Sequence, residues 1–200
     1  LKFLYRLRNQ YGITKYEQML NKGENWMNNV AVEHFDMTGQ FEDVTVIGWK
    51  PYQNLTNCTA APYASYLLNK KVPTPNNYRD AIDLIRFSED QFLHWDALFN
   101  EDGFRPICTP CVYEQYQYRV PVDNSLCNVA NAFLDLYMKT GDQLAYAKAK
   151  ALIDNLTVIQ NPVNGQILTT WDYRVRSKDD IRAFWINCSV ASIEILLRFD

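Results

Sequence analysis

The stretch from Ala132 to Gln160 constrains this chain more than any other. Ala132-Phe133-Leu134-Asp135-Leu136-Tyr137-Met138-Lys139 is an apolar run, Thr140-Gly141-Asp142 is a turn, and Leu144-Ala145-Tyr146-Ala147-Lys148-Ala149-Lys150-Ala151-Leu152 opens an amphipathic run. A glycine supplies the left-handed residue that ends a helix, so the pattern predicts two helices folded back on each other. The same order opens the chain: Leu1, Phe3, Leu4 and Leu7 share a helix face, Gly12 ends it, and a second helix is expected from Thr14 to Asn28. Thr14 and Glu17 have the spacing of a capping box. A looser copy runs from Ala64 to Lys70, through a turn holding Pro73 and Pro75, into a helix expected to reach Trp95. Val190 to Arg198 reads as the first helix of a further hairpin. Hairpins recurring at roughly 60 residues predict an α-helical array or a closed ring. The plainer alternative is an ordinary helical domain; the constant order of apolar helix, turn and polar helix favours the repeat.

Two hundred residues suit one domain with a full core. Aromatic residues make up 14% of the chain, so they must fill that core or line a surface for flat, apolar faces. A net charge of −3 without a basic run argues against a nucleic-acid partner. No apolar stretch has the length needed to span a bilayer, which argues against a membrane protein. Arg6 and Arg8 interrupt the N-terminal apolar residues, so no signal peptide is read there. The chain starts and stops inside hairpins, and the expectation is a piece of a longer polypeptide or a processed chain. The remainder of its own chain is then a partner. Localisation cannot be read from the N-terminus; a periplasmic or extracellular bacterial setting is weakly favoured.

Five cysteines in a chain of this size do not make a disulfide scaffold. Cys58, Cys127 and Cys188 each open a first helix, where a small buried residue suits crowded helices better than a ligand or nucleophile does. Cys108-Thr109-Pro110-Cys111 is a lone CxxC, expected as a local disulfide or two free thiols. No metal and no cofactor is predicted. The sequons at Asn54, Asn57, Asn155 and Asn187 read as chance, since at least Asn155 falls in a helical pattern. His94 is expected at a helix C-terminus, where a cation is favoured.

The connections alternate in length. First helix to second is short; second helix to the next first helix takes roughly 20 to 28 residues, and loops that long in a compact domain are usually functional. The long ones cover 31–56 (with Val44 to Ile47 as a possible strand), 97–124 and 161–182. In a stack of hairpins they emerge on one rim, at the N-terminal ends of the first helices. Each carries acids beside aromatics. Carboxylates hydrogen-bond hydroxyls, and a pair can work as acid and base across a glycosidic bond. Glu42 or Asp43 from the first loop, paired with Glu114 or Asp123 from the second, are the catalytic candidates, and Asp172 is the third in line. Aromatic faces stack on sugar rings; Trp49, Tyr116, Tyr118, Trp171 and Trp185, with His34, are the substrate-binding candidates. Taken singly, each acid is more simply a helix cap or loop anchor; the rim as a whole favours a site.

The Leu136-to-Asp142 turn, the Ala/Lys-rich second helix and the segment Asn161-Pro162-Val163-Asn164-Gly165-Gln166 with Trp171 resemble the (α/α)6-barrel carbohydrate-active proteins, the six-hairpin glycosidases and their relatives. The resemblance is architectural and matches no catalytic signature. It implies an all-α toroid of inner and outer helix layers with a sugar cleft on the long-loop rim. Residues 1–200 supply about three and a half hairpins where six close such a barrel, so a single incomplete-barrel domain is expected. The function implied is a carbohydrate-active protein, foremost a glycoside hydrolase acting on an oligosaccharide or polysaccharide, with lyase or epimerase chemistry also open. A non-catalytic sugar-binding or scaffold protein on the same toroid is the alternative. A helical repeat that binds other proteins is a third reading.

Overall fold

The computed structural model describes residues 1–37, 55–99, 107–116, 121–167, 169 and 186–199. Within them the chain forms α1 (Lys2–Tyr11), α2 (Glu17–Trp26), α3 (Ala60–Leu68), α4 (Pro75–Phe92), β1 (Leu93–Phe99), β2 (Ile107–Val112), α5 (Asp123–Thr140), α6 (Gln143–Ile159) and α7 (Ile186–Leu196). The chain is mostly helical, as its periodicity predicts, with one small sheet.

The short turns follow their residue chemistry. Gly12 and Gly141 take φ of 67° and 74° and close α1 and α5 in the left-handed conformation that costs a side-chain-bearing residue energy. Asp142 caps α6 by accepting from the N–H groups of Leu144 and Ala145. Thr74 and Asn77 form a reciprocal capping box at the start of α4, with Pro75 in the first turn, where its missing N–H costs nothing. The expected box at Thr14 and Glu17 does not form. An intervening turn makes Tyr16 the N-cap, and Thr14 contributes its carbonyl, accepting from Glu17 N–H at 2.9 Å. Past Trp26 the backbone continues as a π-helical turn, Met27–Val32, beyond the expected end at Asn28.

Burial separates the helices into two kinds. In α3 every residue but Pro62 is buried, as in a helix with neighbours all round. It packs against α4 and α5, and α5 packs in turn against α6 and α7. The following helices bury single faces: Ala81, Leu84, Ile85, Ser88 and Phe92 on α4, and Ala145, Ala149, Leu152, Ile153 and Leu156 on α6. First helices thus lie side by side with second helices against them. Ala147 is exposed, because two residues from both Ala145 and Ala149 it lies on the far side of the helix. Outside the core, Lys148 reaches across to Glu89 on α4 at 2.6 Å.

The possible strand at Val44 to Ile47 lies outside the described residues; among those described, the helical expectation fails where α4 was expected to reach Trp95. α4 stops at Phe92, and residues 93–99 pair antiparallel with 107–112, with a bulge between His94 and Ala97. Leu93, Ala97 and Val112 point into the core, while the bulge leaves His94, Trp95 and Asp96 exposed. His94 therefore sits on a strand, its ring 4.7 Å from Tyr113, rather than at a helix end. Cys108 and Cys111 lie three residues apart on β2, hence on opposite faces, one exposed and one buried, and both are free thiols. Asn155 is fully buried on α6, and its amide donates to Thr109 Oγ1 at 2.9 Å. Asn57 is also buried. Neither side chain is accessible to a glycosylating enzyme.

One buried acid joins three first helices. Asp135 of α5, 2% exposed, accepts from Ser65 Oγ of α3 and from Arg198 Nη2, just past α7, at 2.5 Å. Arg198 also donates to Asn131 Oδ1. Removing the cation strands a buried carboxylate. Arg198→Ala is predicted to lower stability in urea unfolding by about 3 kcal/mol, and Asp135→Asn in that background to recover part of the loss. An unchanged midpoint for Arg198→Ala would refute the structural role.

Candidate functional site

A depression of about 640 Å³ runs between the first helices. Each helix contributes side chains at helical spacing: Lys2 and Arg6 from α1, Asn131 and Asp135 from α5, Glu194 and Arg198 from α7 and its following turn. Tyr5 of α1 meets Tyr66 of α3 edge to face at 5.5 Å. Asn9, Gln10 and Asn69 add amides toward the C-terminal ends of α1 and α3, beside Lys71. The Lys71 N–H donates to Tyr5 Oη at 2.6 Å, which ties the α3–α4 turn to α1.

A second hollow of about 360 Å³ lies at the other ends of the same helices, lined by Leu1, Cys58, Thr59, Pro62 and Asn128. The two share Lys2, Tyr66 and Asn131, so they are two ends of one trough along the first helices.

Behind the trough stands a polar layer. Tyr66 and Tyr63 stack at 5.5 Å. The Tyr66 hydroxyl donates to Glu24 on α2, which also receives Lys70 Nζ at 2.7 Å; the Tyr63 hydroxyl donates to Asn28 Oδ1 at 2.6 Å. Burial and the Glu24 charge push the Tyr66 hydroxyl well above its ordinary value, so it remains a proton donor. Burial alone would raise the Glu24 carboxyl, but bonds from Lys70 and Tyr66 outweigh it and hold Glu24 below the usual carboxylate value. This layer fixes the Tyr63 and Tyr66 rings, which are buried at 4% and 3% exposure, and leaves the half-buried Tyr5 as the more open ring on the trough.

The residues predicted from the loops fall into three groups. Glu42, Asp43, Trp49, Tyr118, Trp171, Asp172 and Trp185 lie outside the described residues. Asp123 is the first residue of α5, with Val122 as the N-cap. His34, Glu114 and Tyr116 are placed fully, at one end of the molecule. Thr56 N–H donates to Met37 O at 2.8 Å, Asn57 N–H to Glu114 O at 2.7 Å and Tyr116 N–H to Leu55 O at 3.1 Å, so the described parts of the first two long connections are joined. His34 is exposed after the π-helical turn. The Tyr116 hydroxyl donates to Gln91, with its ring 5.5 Å from that of Phe92.

Glu114 is buried beside Cys58, whose thiol donates to its carboxylate. Burial, followed by the Glu114 charge and this hydrogen bond, pushes the Cys58 thiol up to about 12. Cys58 lines the smaller hollow, so Glu114 stands directly behind its wall. Cys127 and Cys188 are buried, as small core residues would be. Among the described residues no group of three His, Cys, Asp or Glu side chains is arranged to hold a metal ion. No described helix is long and apolar enough to cross a membrane.

The larger part of the trough was not anticipated from the loops. Its signal is present in the helices: Asn131 and Asp135 are polar residues four apart on the apolar α5, as are Lys2 and Arg6 on α1. What unites them is the approach of α1 to α3 and of α7 to α5, which spacing alone does not reveal. No protein-family model, curated protein or solved structure matches this chain.

Thiol chemistry checks the Glu114–Cys58 contact. At pH 8, alkylation is expected to be at least about tenfold slower at Cys58 than at the exposed Cys108, since only thiolate reacts. Glu114→Gln is expected to speed Cys58. Equal rates at both thiols in the parent protein would contradict the placement.

Proposed function

We propose that this chain is a saccharide-binding portion of a carbohydrate-active protein, foremost a glycoside hydrolase. The observation that carries the reading is the trough. Its volume of about 640 Å³ falls in the range of small-molecule sites. Its lining combines amides at Asn9, Gln10 and Asn69 with the half-buried ring of Tyr5. Amides donate to and accept from sugar hydroxyls, and tyrosine rings pack on the C–H faces of pyranoses. The layered first and second helices support an arc of an (α/α) toroid, in which α3, α5 and α7 are inner helices and α4 and α6 are outer ones.

Hydrolysis requires one acid to protonate the leaving oxygen and a second carboxylate to activate water or attack carbon. Glu114, buried behind the trough's upper end, is the first member of that pair in this reading. Glu42, Asp43, Asp123 or Asp172 supplies the second, at about 5–5.5 Å for retention or about 6.5–9.5 Å for inversion. One observation favours the non-catalytic alternative: Asp135, the most buried acid of the trough, is committed to Ser65 and Arg198. The described trough is then a seat for sugar rather than the place of cleavage.

A panel of oligosaccharides separates the readings. Asn9→Ala is expected to weaken the best ligand about fivefold, the worth of one lost hydrogen bond. Glu114→Gln is expected to lower turnover at least about hundredfold with binding retained. Binding by wild type without turnover on any glycan would establish the alternative, and binding to no member of the panel would overturn the saccharide reading.

A further inference from the structure

Charge is distributed unevenly over this molecule. The chain carries −3 overall, yet the larger trough is lined by Lys2, Arg6, Lys71 and Arg198 against only Asp135 and Glu194. Arg198 and Asp135 neutralise each other at 2.5 Å. Three cations then face a single carboxylate across one cavity.

Those three cations are also unpaired. Among the described residues, neither Lys2 nor Lys71 has a carboxylate within 4.0 Å, and Arg6 Nε donates only to Gln10 Oε1 at 3.4 Å. Elsewhere in the chain Arg8, Lys70, Arg79, Arg86, Lys148 and Lys150 each hold a carboxylate. Lys15, Lys22 and Lys139 lack one as well but line neither end of the trough, whereas Lys2, Arg6 and Lys71, likewise exposed, line its larger end.

The backbone that carries these exposed side chains is held in place. Lys2 and Arg6 are four residues apart on one face of α1. Lys71 is anchored by its N–H to Tyr5 Oη, and Tyr5 is braced by Tyr66. Unpaired like charges around one hollow repel each other, and a cleft with low-dielectric walls focuses their field onto whatever occupies it. An anion in the hollow removes the repulsion.

We infer that the trough takes an anionic saccharide, held through its carboxylate or sulfate groups by Lys2, Arg6 and Lys71 while the amides and Tyr5 hold its hydroxyls and a ring face. The inference rests on the saccharide reading above and narrows it to a charged class. Arg198 keeps its place on Asp135 and shapes the wall. Glu194 is the opposing charge that sets the selectivity.

The test is calorimetric binding of neutral, uronate-containing and sulfated oligosaccharides of equal length, with inorganic sulfate as a further ligand, at low and high salt. The anionic sugars are expected to bind at least about tenfold more tightly than neutral ones, with the advantage shrinking as salt screens the charges. Lys2→Ala and Lys71→Ala are each expected to weaken anionic sugars about two- to fivefold and leave neutral ones unchanged. Glu194→Gln is expected to tighten anionic sugars, a gain that a misfolded variant cannot produce. The preferred anionic arm identifies carboxylate or sulfate as the recognised group. Neutral sugars that bind as well as charged ones, insensitive to all three variants, would overturn the inference and leave the saccharide reading standing. Inorganic sulfate binding as tightly as sulfated sugar would mark a plain anion site and overturn it too. Absence of binding to every sugar would overturn both.

Discussion

The buried carboxylate of Asp135 is the constraint on which the inner architecture depends. A charge with 2% exposure is tolerable only when bonded on all sides. Asp135 meets that demand by drawing one donor from each neighbouring first helix, Ser65 from α3 and Arg198 from beyond α7. Apolar contact alone is non-directional and would let these helices slide. The ionic bond fixes their rotation and height, and with it the face that each turns toward the trough. Arg198 extends the tie to Asn131, one turn earlier on α5.

From that tie the remainder follows in layers. A central helix buried all round, such as α3, needs partners on each side, and the polar residues it retains must be satisfied internally. Tyr63 and Tyr66 are satisfied by Asn28 and Glu24 from the second helix of the first hairpin and its π-helical continuation. The outer helices bury one stripe and leave charges such as Lys150 and Asp154 to solvent. The first two long connections lead into the starts of α3 and α5. Their described parts are knitted by backbone bonds and by the small sheet, which rests on α5 and α6.

The helical hairpins were legible in the sequence because their signals are local. Gly12 and Gly141 end helices through backbone geometry, and Thr74 and Asp142 start them through side-chain caps. The sheet was not, because Leu93-His94-Trp95 continues a helix pattern as readily as it starts a strand. Its pairing with residues 107–112 is a non-local choice. Thr14 had the right neighbour at the right spacing, but one turn before the helix diverted it. The loop rim drew attention because it holds acids and aromatics in sequence proximity. The trough's cations and amides come from four separated helices, and only packing assembles them.

The binding surface proposed for this chain consists of the faces of the first helices that Asp135 sets. Amide hydrogen exchange with and without an acidic oligosaccharide tests it most directly, since bound ligand slows local opening where it sits. Slower exchange is expected along α1, at the Lys71 N–H held by Tyr5, and in the turn carrying Arg198. Slowing confined to the outer helices α4 and α6, or none anywhere at saturating ligand, would contradict it.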